Sequence, residues 1–555
     1  MFYPFTYPLI VTDANREALA RIRAEAERMY DQPINALSYH TFHLFRTAGS
    51  RGEYESEYFE HRRLLCIYSA MALLKEDPKW LAKLCDVIWA VCDEYMWAVP
   101  AHITRCPTPE ERTTRIDLFA AETACAIASL YHIFGDNLPA EVRDRMRYEL
   151  MRRIVEPYRQ NPTRWPVNNW SGVCVFGVCD AITCLDRRDI FEECLPAMER
   201  SAADFLASFG EDGCCMEGSL YWSYGFSFFC YFADRVFRYT DGRINYFADP
   251  KVEKIARFGA HTYLGKDDCV LPFSDAPHTY KYDPGLWQIL MERFEGIVPP
   301  PPSCASAFGD DLRYRFAPFI RSLYAPHPDL PQPQDGWIYY ESAQWYINKS
   351  RSYTFAAKAG HNAEPHNHND VGSFVLFDRG NYILDDVGFP MYYAGYFGPD
   401  RYKDMCASSL GHSVPTADGC AQTAGEACAG KVLAADGDCF TAEIAPAYGN
   451  SRLTSLRRSF TLEDRGIRLR DSAVGAPISE RFVTEIPPQI LPDGAVRIGG
   501  YTLRCSAGAP QITTFTYLSR FAEFDENEKD PHTVYILAYP EAEEAEVSVM
   551  KETES

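Results

Sequence analysis

Glu364-Pro-His-Asn-His-Asn-Asp-Val-Gly-Ser-Phe374 runs into Ser373-Phe-Val-Leu-Phe-Asp-Arg-Gly-Asn-Tyr-Ile-Leu-Asp-Asp386, and the second stretch reads as a hairpin turning at Asp378 to Asn381. In an extended chain, residues i and i+2 project from one face, so His366 and His368 are aimed at one spot. The hairpin then returns Asp385 and Asp386 toward them. A third imidazole, His412, lies in Ser408-Ser-Leu-Gly-His-Ser-Val-Pro415. Two histidines and a carboxylate would make the mixed nitrogen and oxygen set that Zn²⁺ accepts. The competing reading is that these are hydrogen-bonded structural histidines in polar loops.

Around this hairpin the apolar period is two. Trp345-Tyr-Ile-Asn-Lys-Ser-Arg-Ser-Tyr-Thr-Phe355 and Ser459-Phe-Thr-Leu-Glu-Asp-Arg-Gly-Ile-Arg-Leu-Arg470 read as further hairpins, the latter turning at Asp464 to Gly466. Upstream the period is helical. Leu64, Ile67, Tyr68, Met71 and Leu74 form one stripe, and Leu81, Leu84, Ile88, Val91, Cys92 and Tyr95 form another after Asp77-Pro78. Asp117 opens a helix ending near Gly135, Pro139 falls where the next helix should begin, and further helices cover Ser171 to Leu185 and Ile190 to Phe209. Several are apolar around much of their circumference, which suits a helical array or toroid in which each helix packs on two neighbours. Pro299 to Pro302 and Pro326, Pro328, Pro331 and Pro333 read as a linker over residues 299–334. The expected fold is a multidomain α+β chain: an N-terminal (α/α) toroid over residues 1–298, the linker, and a C-terminal antiparallel β-sandwich over residues 335–555.

The chain has 555 residues and a formal net charge of −22. That balance argues against nucleic acid or an anionic membrane as partner, because both need a basic footprint. The N-terminus lacks a basic region and carries Pro4 and Pro8, no uninterrupted apolar run reaches the roughly 18 residues that span a bilayer, and the best, Val173 to Leu185, is broken by Asp180. A soluble cytoplasmic protein is expected. The nineteen cysteines are scattered through apolar patterns without any Cys-x-x-Cys pair and read as reduced core residues.

Two segments of the helical region carry further polar chemistry. Trp165-Pro-Val-Asn-Asn-Trp-Ser-Gly172 places two amides, Asn168 and Asn169, at a helix mouth, and Asp212-Gly-Cys-Cys-Met-Glu-Gly-Ser-Leu-Tyr-Trp-Ser-Tyr-Gly225 spaces Tyr221 and Tyr224 three residues apart below Glu217. Taken with the His366 and His412 segments, these resemble the heparinase II/III-like polysaccharide lyases, which combine an (α/α) toroid with a β-sandwich. The resemblance rests on His-x-His-x-Asp-x-Gly-Ser-Phe at His366 to Phe374, Asp-x-Gly at Asp386 to Gly388, Ser-x-x-His ending at His412, and Glu-Gly-x-x-Tyr-x-x-Tyr-Gly at Glu217 to Gly225.

The resemblance implies β-elimination at a uronic acid. The hydrogen at C5 becomes acidic only when the adjacent carboxylate is neutralised or hydrogen-bonded, the role expected of Asn168 or Asn169. A base then takes the proton and an acid protonates the departing O4. By resemblance Tyr224 is the acid, or serves both steps, and His366 is the second candidate for proton transfer. His368, Asp386 and His412 match zinc-binding positions, with Asp385 the alternative to Asp386, and the Zn²⁺ is expected to be structural. Glu217, Tyr221, Tyr392, Tyr393, Arg401 and Lys403 are candidate substrate contacts. Some relatives carry a histidine directly after the asparagine, where this chain has Asn168-Asn169-Trp170. The expected partner is an anionic oligosaccharide, and a homo-oligomer is compatible with the chain. The alternatives are an inactive uronate-glycan-binding protein and a glycan-active enzyme of another reaction type.

Overall fold

The computed structural model describes residues 5–325, 336–392, 396–398, 400–523 and 529–552. Helices fill the first part, antiparallel sheets the second, in the order expected. The helix Leu118–Phe134 starts where Asp117 accepts a hydrogen bond from the Ala120 N–H at 2.7 Å and stops at Gly135, whose φ is 49°. Leu118–Phe134, Ser219–Tyr239 and Arg188–Leu206 all pack on Asn169–Cys184. In that central helix every residue from Ser171 to Cys184 is buried, the outcome expected of a helix apolar on all sides. The stretch Leu118–Asn137 is long and apolar enough to cross a membrane, and most of it is buried within the fold.

The Pro-rich segment departs from expectation. Residues 299–325 do not run as a spacer: Phe316–Tyr324 is a helix burying Phe316, Ile320 and Leu323 against Pro284–Arg293, Leu118–Phe134 and Gly52–Leu73. Prolines punctuate the chain there, but the apolar spacing of Phe316, Ile320 and Leu323 is helical and wins through burial. The Asn15 side chain donates to the Leu323 carbonyl at 3.0 Å, so the first and last helical segments meet. This is the (α/α) toroid of the expected fold class. Pro326, Pro328, Pro331 and Pro333 lie outside the described residues.

Two sheets make up most of the second part. One has five strands in the order Trp337–Tyr340, Trp345–Asn348, Thr354–Lys358, Phe374–Asp378 and Asn381–Leu384. The other has eight, centred on the hairpin Ser455–Glu463 and Gly466–Val474 with Glu544–Lys551 beside it. The alternation along Ser455–Glu463 sends Leu456, Phe460 and Leu462 into the core, where Phe355, Phe374 and Phe440 meet them. The Phe374–Asp378 hairpin turns through Arg379 and Gly380, both with positive φ (50° and 91°). That is the two-residue turn whose twist matches its strands.

The close approach of Leu118–Phe134 and Asn169–Cys184 depends on Gly177, where an added Cβ would lie 2.3 Å from the Ala121 carbonyl oxygen. Gly177→Ala is expected to destabilise the protein by about 2 to 3 kcal/mol, since backbone cannot yield as a side chain does. Chemical denaturation checks this; a stability equal to wild type would contradict the packing.

Candidate active site and metal cluster

The hub of the site is Asp275, in the loop between the helices Pro250–Thr262 and Pro284–Arg293. Its carboxylate accepts from the Tyr392 hydroxyl at 2.7 Å and the Tyr396 hydroxyl at 2.8 Å, and lies 2.8 Å from His366 Nδ1 and 3.1 Å from His368 Nε2. The Arg401 guanidinium adds contacts at 3.3 and 3.4 Å. Burial alone would raise this carboxyl, but His366, His368 and Arg401 hold it well below the usual carboxylate range. The two histidines thus do converge on one spot, although 363–373 is irregular loop rather than extended strand and His366 has a φ of 56°. Two glycines from the sequence motifs admit the Asp275 loop. A Cβ on Gly218 would sit 2.8 Å from the Ala276 Cβ, and one on Gly388 would sit 2.6 Å from the Ala276 carbonyl oxygen; both have positive φ.

The helix Ser219–Tyr239 contributes one wall. Tyr221 packs against His366, ring centroids 4.4 Å apart, and its hydroxyl lies 3.2 Å from that of Tyr392. Glu217 faces His366 Nε2 at 3.9 Å, and burial raises its carboxyl. Arg401, a candidate substrate contact by sequence, is buried: it donates to the Asn367 carbonyl at 2.8 Å and lies 4.2 Å over the Tyr396 ring. Lys403 is exposed and paired with Asp400. Tyr393 lies outside the described residues.

Tyr224, one helical turn beyond Tyr221, enters a second group of side chains. Its hydroxyl donates to Glu122 Oε1 at 2.5 Å, and the Arg315 guanidinium lies 4.2 Å over its ring. Burial first, then the negative charge of Glu122, push this phenol well above its ordinary value, with Arg315 opposing. Asn169 is close by, its Cβ 3.1 Å from where a Cβ on Gly225 would stand. The two amides divide their tasks. Asn168 Oδ1 accepts from the Trp170 N–H at 3.0 Å and caps the helix, whereas the Asn169 amide makes no side-chain hydrogen bond among the described residues. His102, which no motif flagged, stands against Trp170 with ring centroids 4.8 Å apart and its Nδ1 2.7 Å from Asp117.

Beside Asp275 lies a buried cluster of His368, Asp370, Asp386 and His412, whose ligating atoms fall within 4.8 Å of one another. It contains all three expected ligands and adds Asp370. Each histidine spends Nε2 on an outer partner, Asp275 for His368 and the Cys406 carbonyl at 2.8 Å for His412. His412 Nδ1 faces Asp386 Oδ2 at 3.2 Å, and the buried His368 Nδ1 has no hydrogen-bond partner. Outer-shell contacts of this kind fix the imidazole orientation for metal binding, so the donor set fits a divalent ion. Asp385 points elsewhere, 2.9 Å from His278 Nε2. Burial disfavours a charged imidazole there, yet Asp385 raises His278 to about 9. Lys358 Nζ lies 2.8 Å from Asp370 and offsets part of the cluster's negative charge. The fully buried Arg458 donates to the Gly372 and Ser413 carbonyls at 3.0 and 2.7 Å, tying both ligand-bearing loops to the sandwich core.

Comparisons with known proteins bear on the fold. Residues 334–550 match the family described as Heparinase II/III-like, C-terminal. No curated protein sequence matches the chain. Among solved structures, heparinase III shares 11% identity with a TM-score of 0.62, covering 99% of this chain and 93% of that one. The heparan sulfate lyase HepC from Pedobacter heparinus gives 13% and 0.56, covering 98% and 89%. Chondroitin AC lyase from Streptomyces coelicolor A3 gives 12% and 0.51, covering 99% and 80%. The fold is theirs.

Replacing His412 by Ala is expected to abolish stoichiometric divalent-metal binding by elemental analysis of the purified protein, while Asp385→Asn leaves it unchanged. Full metal content in the His412 variant would contradict the cluster.

Proposed function

We propose that this chain is a lyase that cleaves a uronic-acid-containing polysaccharide or oligosaccharide, of glycosaminoglycan or alginate-like type, by β-elimination. The observation that carries the reading is the placement of an uncommitted amide, Asn169, beside a neutral phenol, Tyr224, on a helix whose preceding turn packs Tyr221 against His366. An amide donor stabilises charge that moves onto the uronate carboxylate once C5 is deprotonated. A phenol within reach of both C5 and O4 serves as base and then acid when both lie on one face of the sugar. Asn168, already capping its helix, is the weaker candidate for carboxylate binding. His366, oriented by Asp275, and Glu217, Tyr221 and Tyr392 around it would line the sugar's other side. His102 beside Trp170 stands near the position where some relatives carry a histidine, and is a second imidazole available for substrates with H5 and O4 on opposite faces.

The metal of the cluster is proposed to be Zn²⁺, which suits two imidazoles and two carboxylates. Bound there, it supplies local rigidity. His368 would be held between that ion and Asp275, so the ion's effect on the cleft passes through the orientation of His366 and Tyr392.

Tyr224→Phe is expected to lower turnover by roughly 10²- to 10⁴-fold, the usual worth of a positioned proton-transfer group. Tyr221→Phe, which removes one contact to Tyr392, should cost much less. The ultraviolet absorbance of the unsaturated uronate measures both. Unchanged turnover in the Tyr224 variant would remove that residue from the mechanism; glycan binding by wild type without unsaturated product would favour an inactive binding protein.

A further inference from the structure

We infer that Glu122 is the proton partner of Tyr224: the two form a relay in which the phenol accepts a proton from the sugar while passing its own to the carboxylate, and then reverses. The inference rests on the lyase reading above and assigns it a positioning residue that no motif marked.

The geometry comes first. With its hydrogen directed at Glu122 Oε1, 2.5 Å away, the Tyr224 oxygen keeps its lone pairs for a proton arriving from elsewhere. Glu122 is the one carboxylate in the helix Leu118–Phe134, which is otherwise mostly apolar and buried. An ionisable group placed in such a helix needs a partner or a task. Its charged surroundings are Arg315, whose Nε lies 3.3 Å away, and, farther off, Arg313 and Asp311. Arg315 is itself anchored to Asp311 at 2.9 Å and spans the Tyr224 ring, so carboxylate and phenol are fixed by one guanidinium. Glu122, Arg313 and Arg315 also line a small cavity with Tyr58 and Arg62.

Magnitudes explain why a relay is needed. A tyrosine with an ordinary pKa near 10 is ionised in about one molecule in a thousand at neutral pH, and Tyr224 is pushed higher still. Waiting for a free phenolate would cost the reaction that factor and more. In the relay none forms. The C5–H bond breaks and its electrons become the C4=C5 bond; the proton goes to Tyr224 Oη as that oxygen's own proton passes to Glu122. The C4–O4 bond breaks with its electrons on O4, which takes the proton from Tyr224 Oη as Glu122 returns the one it held. The products are an unsaturated uronate and a new hydroxyl, and the protein ends as it began.

Glu122→Gln keeps the size and the accepting oxygen but cannot take a proton. In the full-length chain it is expected to lower kcat at least 100-fold with KM within threefold of wild type, while Glu122→Asp recovers part of the loss. In ¹³Cζ-tyrosine-labelled protein, the same Gln variant should shift the Tyr224 titration to lower pH, because the neighbouring negative charge is gone. A Gln variant with kcat within threefold of wild type, or an unmoved Tyr224 titration, overturns the relay and leaves the lyase reading intact. Absence of unsaturated product from the wild-type protein overturns that reading itself.

Discussion

A single buried carboxylate, Asp275, holds the two halves of the protein in register. It belongs to a loop between two helices of the helical part, Pro250–Thr262 and Pro284–Arg293, and its contacts His366, His368, Tyr392, Tyr396 and Arg401 all come from the sheet part. Burying a charge is costly unless it is paired and hydrogen-bonded, and removing one partner of such a set is far worse than never having built it. Five converging groups offset that cost here, and the geometry they impose is correspondingly narrow. Because His368 bridges Asp275 and the buried His/Asp cluster, while His366 and Tyr392 bridge Asp275 and the wall formed by Tyr221, order can pass from that cluster to Tyr221 through three side chains.

The helical part supplies chemistry of a different kind. Tyr224, Glu122, Arg315 and Asn169 are mounted on or against helices whose packing is backbone-close, as at Gly177 and Gly172. If these groups act on one sugar atom, as proposed, they benefit from such rigid mounting, since displacements of an ångström are expensive in rate. Under the proposed function, the segments that wrap the sugar come instead from loops of the sheet part. Arg458 limits the freedom of two of them by fixing Gly372 and Ser413 from inside the sandwich.

Much of this was legible in the residues. Periods of two and near four separated sheets from helices, the turn chemistry of Arg379-Gly380 located a hairpin, and the motif around His366, His368, Asp386 and His412 named three of the four clustered residues. Asp370 continued the same i, i+2, i+4 spacing and could have been added from it. Asp386 won over Asp385 because adjacent residues face opposite ways, and Asp385 went to His278. Other features had little or no local signal. Asp275 is one of several acids in a loop, its partners lie about 90 or more residues away, and nothing near it in the chain announces them. Glu122 left a trace, a carboxylate alone in an apolar helix, which matters only once Tyr224 is known to face it. The prolines of residues 299–325 suggested a spacer because they interrupt the chain, yet the short apolar stripe of Phe316, Ile320 and Leu323 was enough to make a helix of the ring.

The account requires bond cleavage by elimination, and the masses of the products report on that directly. Uronate oligosaccharides of the heparosan, heparan sulfate, hyaluronan, chondroitin and alginate types, incubated with the intact protein, should yield from at least one of them two fragments whose masses sum to that of the substrate, one carrying the unsaturated ring. Fragments whose summed mass exceeds the substrate by one water would mean hydrolysis and contradict it.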